Sequence, residues 1–424
     1  MYLWYKFFTY LFYPFAPIYL YFRKLKKKED ILRYREKLSQ INKPRGNGFL
    51  VWMHVASVGE AMSILPLIES FIEEKKINKI LLTSITLSSG KILEKKYSKN
   101  SKIVHQYLPL DIPILTNKFL EHWKPNLSIF IDSEIWPNFI LQIKKKKIPL
   151  LLVNGRITHK TFKRWKLAIK FARKIFKNFD LCIAANRDSE NFLKILGAKN
   201  IKNHGNFKFS RAKSSFRNKI DPFLLDKIKN RKIWCAASTH ANEEIFCAKS
   251  HLKIKNNFND ILTIIIPRHI DRVKKIEKEI SNLGLKIVTY SKLDEMNENT
   301  DILLIDAYGE ASKFFDISKY VFVGKSLVDS LIKDSGQNPI EPARLGCKIF
   351  HGPNVSNFVE AYEYLKTLGV AKEIKNFHEL TLCLNEEFKK DEEKNERIAT
   401  KIENYGENIF NNVVAEIKNY IQII

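Results

Sequence analysis

Four ionisable residues stand where short apolar runs stop. Glu60 ends HVASVGE, Asp132 and Glu134 lie in IDSEIWPN, and Lys208 lies in GNFKFS. A carboxylate at the end of a buried strand can act as a general base toward a hydroxyl nucleophile. A nearby ammonium can balance charge that gathers on a leaving phosphate. Gly59, with Ala56 and Ser57, keeps the space above Glu60 clear. Residue type alone allows a second reading: an acid at a helix N-terminus is favoured by the dipole, and Asp132 and Glu134 read equally as caps. His54, inside the apolar run, reads as a core histidine rather than a ligand.

The second half carries groups suited to a phosphorylated ligand. Ser238, Thr239 and His240 precede a helix that opens with Glu243-Glu244, so backbone N–H groups and hydroxyls are expected to be free there. Arg268, after Pro267, can fork onto a phosphate. Gly309-Glu310-Ala311 and Gly324-Lys325-Ser326 are glycine-containing turns that let the backbone approach a ligand. Asn338-Pro339-Ile340-Glu341 starts a helix, and the Glu341 carboxylate suits the two donors of a ribose diol. No Walker loop, complete GxGxxG, HExxH or Cys/His cluster occurs, so neither a metal nor a cofactor is expected.

The elements that must position these residues form two series. FLVWMHV, KILLTSI, KIVHQYL, LSIFID, PLLLVN and LCIAAN come first; KIWCAAS, ILTIIIP, LKIVTY, DILLID, YVFVGK and CKIFHG follow. Apolar strands alternating with helix-length amphipathic stretches predict parallel sheets, here two doubly wound α/β domains. The boundary is expected in the basic stretch 208–222, which divides the chain into 29–210 and 211–424, the latter with a C-terminal helix. Ligands of such sheets bind beyond the carboxyl ends of the strands, so a cleft between facing domains is expected.

Ahead of both lies MYLWYKFFTYLFYPFAPIYLYF, then RKLKKK. About twenty apolar residues can cross a bilayer core, and the aromatic residues suit its interface. Residues 1–28 are therefore expected to attach the chain to a membrane, spanning it or lying in the interface, with Pro14 and Pro17 opposing a straight span. The formal net charge of +26 calls for an anionic partner: nucleic acid, acidic lipid or a phosphorylated ligand. Acids in the expected cleft speak against a polyanion such as nucleic acid. The five cysteines show no CxxC pairing and read as buried thiols.

In their order these motifs resemble the 3-deoxy-D-manno-octulosonic acid (Kdo) transferases of lipopolysaccharide synthesis. The resemblance runs from RYREKL and HVASVGE through DSEIWPN, VNGRIT, GNFKF, ASTHANEE and PRHIDR to YGEAS, FVGKSL, QNPIEPARLG and GPNVSNF. It implies a glycosyltransferase with two Rossmann-like domains (the GT-B type) and a membrane anchor at the cytoplasmic face of the inner membrane. CMP-Kdo is the implied donor and a phosphorylated lipid A precursor the implied acceptor. Glu60 is the implied general base, with Asp132 and Lys208 as auxiliary groups and Glu134 close by. The CMP site maps onto Pro267, Arg268, Gly309, Glu310, Ala311, Asn338, Pro339, Ile340 and Glu341. Ser238, Thr239, Gly324 and Ser326 are secondary donor-site candidates. Three positions depart from the family: Asp132 replaces a usual Glu, Lys325 a usual Gly and Gln337 a usual His. A transferase using a UDP-sugar and a non-catalytic, membrane-tethered anion-binding protein are the competing readings.

Overall fold

The computed structural model describes residues 1–40, 43–210, 220–327, 335–390 and 393–423. The chain divides into two compact units, one of residues 1–213 with 405–424, the other of residues 214–404. Most of the basic stretch expected at the boundary, 211–219, lies outside the described residues.

The first unit holds β1 (Leu50–Val55), β2 (Lys79–Ser84), β3 (Ile103–Tyr107), β4 (Leu127–Ile131), β5 (Leu150–Gly155), β6 (Leu181–Ala184) and β7 (Ile201–Asn203). They form one sheet in the order β3-β2-β1-β4-β5-β6-β7, with every pair parallel. Every residue of β1, β4, β5 and β6 is buried, which is why these strands read as unbroken apolar runs. One face packs around Trp52, which meets Phe119, Phe130 and Phe139 with ring centroids 4.9–5.5 Å away.

The second unit repeats the plan with β8 (Lys232–Thr239), β9 (Ile261–Pro267), β10 (Ile287–Thr289), β11 (Ile302–Leu304), β12 (Tyr320–Val323), β13 (Lys348–His351) and β14 (Ala371–Glu373). Their order is β10-β11-β9-β8-β12-β13-β14, again all parallel. The expectation of two doubly wound Rossmann-like units therefore holds, with β7 and β14 as additional edge strands. The C-terminal residues differ from the expected assignment, because residues 405–424 group with the first unit. Phe410 meets Phe207 at 6.2 Å, the Tyr420 hydroxyl donates to Asp180 O (3.0 Å), and Lys418 pairs with Glu74 (3.0 Å). At Gly406 a Cβ would come within 2.1 Å of Phe209 O, so only glycine permits this approach.

The N-terminal apolar stretch is two short helices, Tyr2–Phe12 and Ala16–Leu25, with the 3-10 turn Tyr13–Phe15 between them. Pro14 and Pro17 remove backbone donors at this junction. Among the described residues no helix is long and apolar enough to cross a membrane. One side of the first helix rests on protein: the Tyr5 hydroxyl donates to Asp111 Oδ2 (2.8 Å) and Tyr2 stacks on Phe171 (6.4 Å). Leu3, Trp4, Phe7, Phe8 and Leu11 are exposed. The five cysteines are free and buried.

A buried polar cluster ties the second sheet to its helix layer. Asp301, 3% exposed, faces Nε2 of the fully buried His251 (3.3 Å) and accepts from the Lys286 amide (2.9 Å) and the Lys255 ammonium. Burial opposes ionisation of this carboxyl, but those donors outweigh it and hold Asp301 well below the usual carboxylate range. A depressed folded-state pKa adds stability above the unfolded value that disappears as pH falls through the folded one. Asp301→Asn should therefore cost about 2–3 kcal/mol at neutral pH. In urea titrations the gap from wild type should close in acid.

Candidate functional site

β1 and β4 are neighbours in the first sheet, and the chain leaves them toward opposite edges. Such a switch point opens a crevice beyond the carboxyl ends of the two strands. Glu60 follows β1, while Asp132 and Glu134 follow β4, so topology brings the three acids to one place.

Glu60 lies in the first turn of the helix Val58–Ser63, which Ser57 caps. Its backbone N–H donates to Ser57 Oγ (3.3 Å), whose hydroxyl donates to Glu60 Oε1 (2.8 Å), and the Ala56 N–H donates to Oε2 (2.7 Å). The reading of Glu60 as an acid at a helix N-terminus is thus correct as local structure, but it does not account for the surroundings. Burial, then the charge of Asp132, and further that of Glu134 push the Glu60 carboxyl up to about 7, against the pull of the Ala56 and Ser57 hydrogen bonds. A carboxyl near neutrality accepts protons far better than an ordinary carboxylate. Nothing lies within 4 Å of a Cβ built on Gly59, so the expected open space beside Glu60 is present.

Asp132 adopts φ +60°, a left-handed conformation that aspartate tolerates better than most residues. Its N–H donates to Val153 O (3.0 Å) and its carbonyl accepts from Arg156 N–H (3.2 Å), which fix the turn to the end of β5. The Lys208 ammonium reaches Asp132 Oδ2 at 3.2 Å. Lys208 is placed by the 3-10 turn Phe207–Ser210, whose first N–H donates to the buried Asn154 Oδ1 (2.9 Å). Glu134 Oε2 meets Trp136 Nε1–H (2.8 Å) and His54 Nε2 (3.1 Å). His54 is fully buried, as expected, yet it touches a site carboxylate 80 positions away. No local pattern in LVWMHV signals that contact.

In the second sheet the switch point lies between β8 and β12. Glu243, 2% exposed, opens the helix Glu243–Lys255 there and accepts from the amides of His240 (2.8 Å), Lys325 (2.7 Å), Ser326 (2.9 Å) and Leu327 (3.0 Å). Several amides expected to be free for a phosphate are therefore already held by a protein carboxylate. The Ser326 hydroxyl donates to Val323 O (2.7 Å) and accepts from Gly352 N–H (2.9 Å). At Gly324 a Cβ would stand 2.7 Å from Glu243 Oε2, Ser238 O and Thr239 Cα. This corner is closed by protein contacts. Lys325, with φ +56°, occupies the backbone region that favours the family's usual glycine.

The other donor-site candidates lie around this corner at strand ends. Pro267 closes β9 opposite Thr239, and the N–H of the exposed Arg268 donates to Thr239 O (3.0 Å). Thr239 Oγ1 is buried without a hydrogen-bond partner among the described residues, while Ser238 takes φ +56°. Gly309 has φ +84° with open space beside it, and Glu310 pairs with Lys313 just before the helix Ala311–Ile317. Asn338 Oδ1 accepts from Ile340 N–H (3.0 Å), turning Pro339 into the helix Ile340–Arg344, where Glu341 lies in the first turn. The helix Ala311–Ile317 packs on both Ile340–Arg344 and β8, so these candidates share one region.

The chain is similar to several known proteins. Residues 32–211 match the family described as 3-deoxy-D-manno-octulosonic-acid transferase (kdotransferase). A 3-deoxy-D-manno-octulosonic acid transferase of Rickettsia bellii is 34% identical over 99% of this chain and 98% of its own length. One of Haemophilus influenzae is 28% identical over 78% of each chain. Among solved structures, the UDP-GlcNAc 2-epimerase of Neisseria meningitidis bound to UDP-GlcNAc shares the fold. Its TM-score is 0.57 at 14% identity, over 89% of this chain and all of that one. Over nearly its whole length, then, the chain belongs to the 3-deoxy-D-manno-octulosonic acid transferases, glycosyltransferases of lipopolysaccharide synthesis.

Proposed function

We propose that the chain transfers Kdo from CMP-Kdo to the glucosamine 6′-hydroxyl of a phosphorylated lipid A precursor, with inversion at the anomeric carbon. The observation that carries this reading is Glu60, a partly buried carboxyl beside two other acids, raised to about 7 at a sheet switch point. Glu60 takes the hydroxyl proton as the acceptor oxygen forms its bond to the anomeric carbon. The bond from that carbon to the phosphate breaks, and its electron pair leaves with CMP. Lys208 holds Asp132 in place, and Arg268 offers its guanidinium to the phosphate. Purified protein, CMP-Kdo and a tetraacylated lipid A precursor should give a product heavier by one or more Kdo units. CMP, rather than UDP, should raise the melting temperature. A larger shift with UDP, or no product from CMP-Kdo, refutes the donor assignment.

The acceptor is a lipid, and the exposed side of the N-terminal helices suits the interface at the cytoplasmic face of the inner membrane. Trp4 is 64% and Phe8 59% exposed, and Lys24, Lys26, Lys27 and Lys28 follow on the same segment. The Trp4→Ser, Phe8→Ser double variant should bind anionic vesicles about tenfold or more weakly, given roughly 1.5–3 kcal/mol for each fully buried aromatic side chain. Co-sedimentation measures this, and unchanged binding rejects the interfacial reading.

A further inference from the structure

A line of buried hydrogen bonds runs from the core of the first unit to its candidate site. Trp52 Nε1–H donates to Thr83 Oγ1 (2.9 Å), and Thr83 Oγ1 lies 2.9 Å from His54 Nδ1. The Thr83 hydroxyl keeps a second lone pair after Trp52, so the tautomer is decided on the other side of the ring, where Nε2 faces a carboxylate oxygen of Glu134. Nε2 carries the ring proton and donates it to Glu134 Oε2 (3.1 Å), which leaves Nδ1 to accept from the Thr83 hydroxyl. Trp136 Nε1–H donates to the same oxygen. Glu134 Oε1 takes no protein donor among the described residues. One carboxylate oxygen is thus clamped by two rigid rings, and the other is left to a ligand.

A core histidine needs only Thr83, whose hydroxyl can donate to Nδ1 or whose carbonyl, 3.2 Å away, can accept from Nδ1–H in the other tautomer. The contact to Glu134 goes beyond that need and joins β1 to the loop after β4 beside Glu60. We propose that His54 is a positioning residue: its Nε2–H fixes Glu134 so that Oε1 receives a hydroxyl of the acceptor sugar while Glu60 deprotonates the attacking one. The inference rests on the reading of Glu60 as the base. Groups that bear on Glu60 are Ser57 and the Ala56 N–H from its own turn, and Asp132 (paired with Lys208) and Glu134 from the end of β4. Freed from His54, Glu134 can swing away and relax its part of the charge on Glu60.

The test compares two amides in the full chain. His54→Asn places an amide near Nδ1 and keeps the Thr83 contact; His54→Gln places its N–H near Nε2. The asparagine variant should lose about 10- to 100-fold in kcat/KM for the acceptor, as expected for loss of an orienting partner. Its acid limb should also move to lower pH. The glutamine variant should stay within about threefold of wild type, on the same reasoning. Equal losses in both, or a wild-type pH profile in the asparagine variant, overturn the proposal. Thr83→Val offers a second route if His54→Asn does not fold. It leaves the carbonyl of residue 83 as the partner of Nδ1, which draws the ring proton away from Nε2, so it should reproduce the loss that Thr83→Ser avoids; equal activity of those two also overturns the proposal. An inactive Glu60→Gln beside a fully active His54→Asn rejects this inference alone. An active Glu60→Gln rejects the reading beneath it.

Discussion

Glu60→Gln should reduce Kdo transfer by about 10²- to 10⁴-fold, the usual contribution of a positioned general base. Glutamine is nearly isosteric: its carbonyl oxygen can still accept from Ala56 N–H, while its NH₂ group can donate to Ser57 Oγ. The helix start should survive, and the melting shift produced by CMP, which is proposed to bind the other unit, should stay close to wild type. The wild type should also reveal the base through pH. Glu60 must be ionised to accept a proton, and burial followed by the charge of Asp132 places its carboxyl at about 7. kcat/KM should therefore fall toward tenfold per pH unit below that point, and the limb should be absent from the residual activity of Glu60→Gln. Near-normal turnover in the variant, or a limb at the ordinary carboxylate pKa, removes Glu60 from the chemistry and returns it to the role of an acid at a helix N-terminus.

Glu243→Ala should be the most damaging single change in the second unit. One buried carboxylate accepts four backbone amides, three of them from the turn after β12, more than 80 positions away. Its loss leaves those amides without their acceptor in a region too tight for a Cβ on Gly324. Hydrogen bonds to a charged group contribute about 1.5–3 kcal/mol each, but the four share one acceptor and do not add fully. A loss of roughly 3–5 kcal/mol is expected, as when one partner of a buried charged pair is removed. Glu243→Gln should fall between wild type and alanine, because its NH₂ group must face at least one amide donor. Denaturant titration gives the stability, and the CMP melting shift reports whether the switch point of the second sheet keeps its shape. A change below about 1 kcal/mol in Glu243→Ala contradicts this account of the corner.

The family resemblance and the two-sheet plan were both legible in the sequence. Buried parallel strands must be apolar on both faces, so β1, β4, β5 and β6, and most of β8 and β9, announce themselves as continuous hydrophobic runs. Polar residues where those runs stop then mark the carboxyl ends of the strands, where the ligands of such sheets are expected. β7 and β14 escaped because they are three-residue edge strands, IKN and AKE, whose side chains are at most partly buried. Tertiary structure alone decided the rest. The helical period of residues 405–424 is visible in the sequence, but only packing against Gly205, Phe207 and Phe209 assigns them to the first unit. The N-terminal apolar run looked long enough to span a bilayer, yet its helices of 11 and 10 residues keep one side on the protein. The amides read as open to phosphate are held by Glu243, and the histidine read as plain core holds Glu134. Hydrophobic periodicity is a local property of the chain and survives in the sequence. A hydrogen bond between residues 80 positions apart depends on strand order and register, which no local pattern encodes.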